Sequence, residues 1–170
     1  PDVLLLDLVM PGLDGFGVLA RLTQSGHGVP TVILTSRADR SEVRAALAKG
    51  DLAGAERIAR EHLSASGNAP VAIEALSWVA RGALAAGQLD SAGSVARETQ
   101  RLAEAALGKR PLDAVPGLPI ALGAALEVQA QVLAARGARS DGVYLLTREL
   151  ERYGDTSIHE RLQKNIHLLN

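Results

Sequence analysis

The sequence predicts a mainly α-helical protein opened by a short parallel β-α-β element, and three observations carry that prediction. Val3-Leu4-Leu5-Leu6 and Thr31-Val32-Ile33-Leu34 are apolar runs bounded by turn residues and too short to stand as helices, so they read as buried parallel strands. After about residue 40, alanine and leucine dominate while aromatics make up only 2% of the chain, which suits close packing of helices with small aliphatic side chains. A glycine-centred turn then recurs between helical stretches, as expected of stacked helical hairpins.

The elements follow in order. Between the two strands, residues 15–23 place Phe16, Leu19 and Leu22 at helical spacing, and Gly26-His27-Gly28-Val29-Pro30 stops that helix. Parallel strands joined by a right-handed crossover bring their C-terminal ends to one rim, so Asp7 and Thr35 are expected side by side. Asp39-Arg40-Ser41-Glu42 has the spacing of an N-terminal capping arrangement and should open a helix through Val43, Ala46 and Leu47. Further helices are expected near 51–66, 69–86, 89–108, 118–136, 140–153 and 157–169, the last with a capping box over Ser157-Ile158-His159-Glu160.

Asp7 ends its strand inside a longer motif. The segment Pro1-Asp2-Val3-Leu4-Leu5-Leu6-Asp7-Leu8-Val9-Met10-Pro11-Gly12-Leu13-Asp14-Gly15 resembles the third strand and following loop of bacterial response-regulator receiver domains. Val29-Pro30-Thr31-Val32-Ile33-Leu34-Thr35-Ser36 resembles their fourth strand. The resemblance implies Asp7 as phosphoacceptor, Met10, Pro11 and Gly12 as the phosphorylation-site loop, and Thr35 as the switch hydroxyl. It also implies Mg2+ as cofactor, with Asp7 as one ligand of a partial site, and a histidine kinase or phosphotransfer protein as partner. A carboxylate attacks phosphorus in line only when a cation neutralises the phosphate oxygens, and the family draws an acidic pair and a lysine for this from strands outside the matched stretch. The opening Pro1-Asp2-Val3 lacks an initiator methionine and reads as the start of a fragment or processed piece.

The remainder carries an internal repeat. Lys49-Gly50-Asp51-Leu52-Ala53-Gly54-Ala55 aligns with Ala86-Gly87-Gln88-Leu89-Asp90-Ser91-Ala92, and Arg136-Gly137-Ala138-Arg139-Ser140-Asp141-Gly142 is a looser third copy. Gly50 to Gly87 spans 37 residues and Gly87 to Gly137 spans 50, the longer interval holding a proline-rich insertion from Gly108 to Pro119. This half resembles tetratricopeptide-like antiparallel helical repeats, and more distantly the helical region that precedes thioredoxin-like redox domains in some bacterial proteins. Residues 1–48 are therefore expected as a partial receiver-like segment and 49–170 as a helical-repeat domain that presents a face to a protein or peptide partner.

Composition narrows the chemistry. A net charge of -1 offers no field for nucleic acid or an anionic membrane, and no cysteine is present for a thiolate nucleophile or ligand. No apolar run approaches the roughly 20 residues that span a bilayer, so a cytoplasmic protein without a membrane partner is expected. His27, His62, His159 and His167 lack the spacing of a helix-borne zinc site. Trp78, Tyr144 and Tyr153 sit among aliphatic residues and read as core, while Arg97, Arg101, Lys109 and Arg110 read as a solvated face. No phosphate-binding glycine loop and no nucleophile elbow is present, so the chain is expected not to be an enzyme. Two readings follow: a two-component signalling protein with a helical interaction module, or a non-enzymatic helical scaffold bearing a vestigial receiver piece.

Overall fold

The computed structural model describes residues 4–7, 9–10, 13–14, 31–34 and 38–170, with side chains from Ser41 onward. Strand β1 (Leu4–Asp7) pairs in parallel with β4 (Thr31–Leu34), Leu4 opposite Thr31 and Asp7 opposite Leu34. The very short strands β2 (Val9–Met10) and β3 (Leu13–Asp14) pair antiparallel, an arrangement the sequence reading did not foresee. The crossover helix expected over 15–23 lies outside the described residues.

Seven helices follow among the described residues: α1 (Ala38–Ala48), α2 (Leu52–Ala65), α3 (Pro70–Ala85), α4 (Leu89–Leu107), α5 (Leu118–Ala135), α6 (Arg139–Arg152) and α7 (His159–Leu169). Each expected helix from residue 51 onward is present with ends shifted by at most two residues. Three helix ends close on the same hydrogen bonds. Gly50 N–H donates to Leu47 and Asp51 N–H to Ala46, Gly87 donates to Leu84 and Gln88 to Ala83, and Gly137 donates to Ala134 and Ala138 to Leu133. This is the Schellman arrangement, and it demands the left-handed φ of 75°, 73° and 84° that the three glycines adopt.

These turns send each helix back along its predecessor, and two layers result. Helices α1, α3, α5 and α7 pack side by side, while α2, α4 and α6 each pack on the helix before and the helix after. Small residues set the spacing: Ala55, Ala59, Ala80, Ala83, Ala92 and Ala96 are buried at these crossings. The centre is α5, whose Leu118, Leu122 and Leu126 are fully buried and contribute roughly 1.5–3 kcal/mol each. Helix α5 is also apolar and long enough by composition to cross a membrane, contrary to the sequence reading; 56% of that stretch is buried inside the array, which accounts for its character.

The outer layer is joined by ions instead. Arg60 of α2 reaches Glu98 of α4 at 3.0 Å, and Arg152 of α6 reaches Glu104 of α4 at 2.8 Å. Such partly exposed pairs are worth about 0–1 kcal/mol, so they align helices more than they stabilise them.

Three local expectations are corrected. Helix α1 begins at Ala38, which places Asp39 within its first turn instead of ahead of it. The capping box over Ser157–Glu160 does not form: α7 starts at His159, and the N–H and hydroxyl of Ser157 both turn to the Asp113 carboxylate. The insertion after α4 is an ordered strap, with a 3-10 turn at Leu112–Ala114 and both Leu112 and Val115 buried.

Candidate functional site

At the receiver-like end, backbone register is what positions the site. Asp7 is the last residue of β1, and its partner Leu34 is the last residue of β4 and immediately precedes Thr35. Met10 closes β2 and Leu13 opens β3, so the hairpin they form brackets Pro11 and Gly12 in the sequence. Thr35, Pro11 and Gly12 themselves lie outside the described residues, as does His27. Among the described residues no three His, Cys, Asp or Glu side chains gather to hold a metal ion. The described residues therefore do not amount to a complete Mg2+ site.

The helical half offers a second region. On the inner layer, Trp78 of α3 is half-buried and Arg44 of α1 stands over its ring, the guanidinium carbon 5.6 Å from the centroid. Arg81, one turn beyond Trp78 on α3, is exposed and lines two adjoining open grooves of about 430 and 390 Å³. Leu47 completes the first, between α1 and α3; Glu127, Val128 and Gln131 of α5 line the second. Glu127 is already engaged: its Oε2 accepts from Arg161 Nε of α7 at 2.9 Å, and its Oε1 accepts from Gln131 Nε2 at 3.3 Å. Sequence reasoning placed Trp78 in the core and passed over Arg44 and Arg81. The three-residue spacing of Trp78 and Arg81 puts them on one face of a helix, but only the packing of α1 on α3 adds Arg44.

Other singled-out residues separate. Tyr153 is 5% exposed, as expected of core, whereas Tyr144 is 70% exposed and the core assignment fails there. Burial pushes the Tyr153 hydroxyl above the usual tyrosine range, against the opposing pull of Arg152. His62 of α2 lies 3.5 Å from Glu42 of α1, His167 is exposed on α7, and no zinc-type cluster forms among the described residues. Arg97, Arg101, Lys109 and Arg110 are exposed, with Arg110 turned back onto the carbonyl ends of α4.

Comparison with known proteins defines the class of the first part. Residues 1–54 match the response regulator receiver domain, a module of two-component signalling that interacts with histidine kinases or phosphotransfer proteins and generally binds Mg2+ for phosphorylation. Among particular relatives, protein-glutamate methylesterase/protein-glutamine glutaminase 5 of Myxococcus xanthus is 52% identical over 46 residues, covering 27% of this chain and 13% of that protein. Protein-glutamate methylesterase/protein-glutamine glutaminase 6 of Anaeromyxobacter dehalogenans is 36% identical over 135 residues, covering 72% of this chain and 37% of that protein, so the likeness runs past residue 54 into the helices. The DNA-binding response regulator MtrA of Mycobacterium tuberculosis is 42% identical over 50 residues, 29% of this chain and 22% of its own. The chain thus spans well under two thirds of the length of each of these relatives. No solved structure matches the chain.

The methylesterase/glutaminase relatives overturn one expectation. The lack of a hydrolase motif predicts that the chain is not an enzyme, yet two of the proteins it resembles are enzymes by name.

Proposed function

We propose that this chain works in two-component signalling, with Asp7 taking a phosphoryl group from a histidine kinase or phosphotransfer protein and a tetratricopeptide-like helical array carrying the change to a protein partner. The observation that carries the reading is the receiver-domain match over residues 1–54, within which Asp7 ends a strand beside the end of a parallel neighbour. A carboxylate in that place sits at the rim where ligands of parallel sheets bind. Phosphorylation turns Asp7 into an acyl phosphate whose new oxygens need hydrogen-bond donors, and the hydroxyl of Thr35 is next in sequence to Asp7's register partner.

The path outward is short. Helix α1 begins at Ala38, soon after β4 ends at Leu34, and α1 packs directly on α2 and α3. A shift at the end of β4 therefore reaches the array through one helix. The three matching Schellman turns and the two-layer packing support a repeat reading of residues 49–170, with the receiver segment over 1–48. Cytoplasmic action is part of this reading.

The test is direct. Incubation with acetyl phosphate and Mg2+ should yield a phosphorylated species resolved by phosphate-affinity electrophoresis, absent without Mg2+ and absent in Asp7→Asn. An unmodified wild-type chain, or equal modification of Asp7→Asn, overturns the assignment.

A further inference from the structure

We propose that the seam of the inner layer around Trp78 is a docking site for an acidic peptide segment, with Arg44 and Arg81 gripping its carboxylates and Trp78 packing against its apolar side chains. The proposal names the chemistry of the partner in the reading above and does not depend on phosphorylation of Asp7.

Charge complementarity carries it. Along the inner layer, the seam between α5 and α7 is neutralised within the protein, since Arg161 is bound by Glu127. The seam between α1 and α3 is different. No described carboxylate pairs with Arg44 or Arg81, and the one acidic group lining the adjoining groove, Glu127, is already held by Arg161 and Gln131. Two guanidinium groups thus line one groove with a half-buried indole, and Arg81 also lines the next, in a protein whose net charge is -1. The guanidinium fork matches a carboxylate in two parallel hydrogen bonds, and tryptophan and arginine are among the residues enriched at the energetic centres of protein interfaces. Nucleic acid fits less well, because a phosphate backbone needs a longer basic track than two arginines with Glu127 beyond them.

Trp78 is the only tryptophan in the chain, so its emission reports on the site without labelling. The full chain is titrated with a short acetylated peptide alternating glutamate and leucine, and with the same peptide carrying glutamine for glutamate. The glutamate peptide should change the emission saturably and should weaken as salt rises. The glutamine peptide should bind about tenfold or more weakly, as should the glutamate peptide to Arg44→Gln and to Arg81→Gln, read by anisotropy of labelled peptide because Arg44→Gln alters the indole's own surroundings. Both arginines are exposed, and circular dichroism of the variants verifies that the helices persist. No saturable response, equal binding of the two peptides, wild-type affinity in both variants, or preferential binding of a single-stranded oligonucleotide overturns the proposal. Asp7→Asn should bind the peptide as wild type does, so a failed phosphorylation leaves this result standing and a failed titration leaves Asp7 standing.

Discussion

Tyr153 shows what a single position decides. Its ring is buried at the end of α6, Arg152 lies 5.0 Å from the ring centroid, and its hydroxyl is buried with no hydrogen-bond partner. A buried hydroxyl left unpaired costs about 1–3 kcal/mol, whereas the ring itself stabilises by its burial. Tyr153→Phe should therefore leave stability equal or raise it by about 1 kcal/mol, read from the urea midpoint at neutral pH. Burial also raises the folded-state pKa, so the folded protein holds this proton more tightly than the unfolded chain. The corresponding stability is fully present below the ordinary tyrosine value of about 10 and is lost as pH climbs through the higher folded value. Tyr153→Phe should flatten that alkaline loss; an unchanged alkaline slope assigns it to another group. The sequence could not separate Tyr153 from Tyr144, since both follow helical periodicity among leucines and only the crossing of helices sends one inward. Ser157 escaped for a similar reason, because its partner Asp113 lies 44 residues away on the strap.

At the scale of elements, closeness of approach governs α5 and α6. Gly142 is buried in the first turns of α6, where an added Cβ would lie 2.7 Å from the carbonyl oxygen of Ala130 in α5. Alanine gains about 1 kcal/mol over glycine in a helix, but here it meets rigid backbone. Gly142→Ala should lose about 2 kcal/mol in net stability. Gly93→Ala is the contrast: its Cβ would meet Arg97 Nη1 at 3.3 Å and Val132 Cγ1 at 3.5 Å, side-chain ends that can give way. That variant should be neutral or slightly stabilising, and chemical denaturation of the pair measures the difference. Helix extents and turns were legible because their signals are local: glycine at each Schellman turn and leucine or alanine at helical spacing. The parallel pairing of β1 with β4 was legible from their apolar runs, whereas the short β2–β3 pair carried no such mark. Which helices cross, and therefore that Arg44 meets Trp78, depends on contacts between residues 34 apart and carried no local mark.

For the molecule as a whole, composition announced helices and the motif announced a receiver segment, but neither announced enzymatic relatives, whose identity became apparent only by comparison. Helix α1 stands between β4 and the rest of the helical core in the sequence. It follows β4 in the chain, buries Val43 and Ala46 in the helical core, and carries Arg44 to the face of Trp78 on α3. Close-packed helices resist gradual deformation, so under the proposed signalling role a displacement that reaches α1 should move it as a body. An indole beside a moving cation is a sensitive detector of such a shift. Addition of beryllofluoride and Mg2+, which mimics the acyl phosphate at an aspartate, should therefore change the emission of Trp78, and the change should vanish in Asp7→Asn and shrink in Arg44→Gln. If Asp7 is modified while Trp78 emission stays still, the proposed coupling through α1 is excluded.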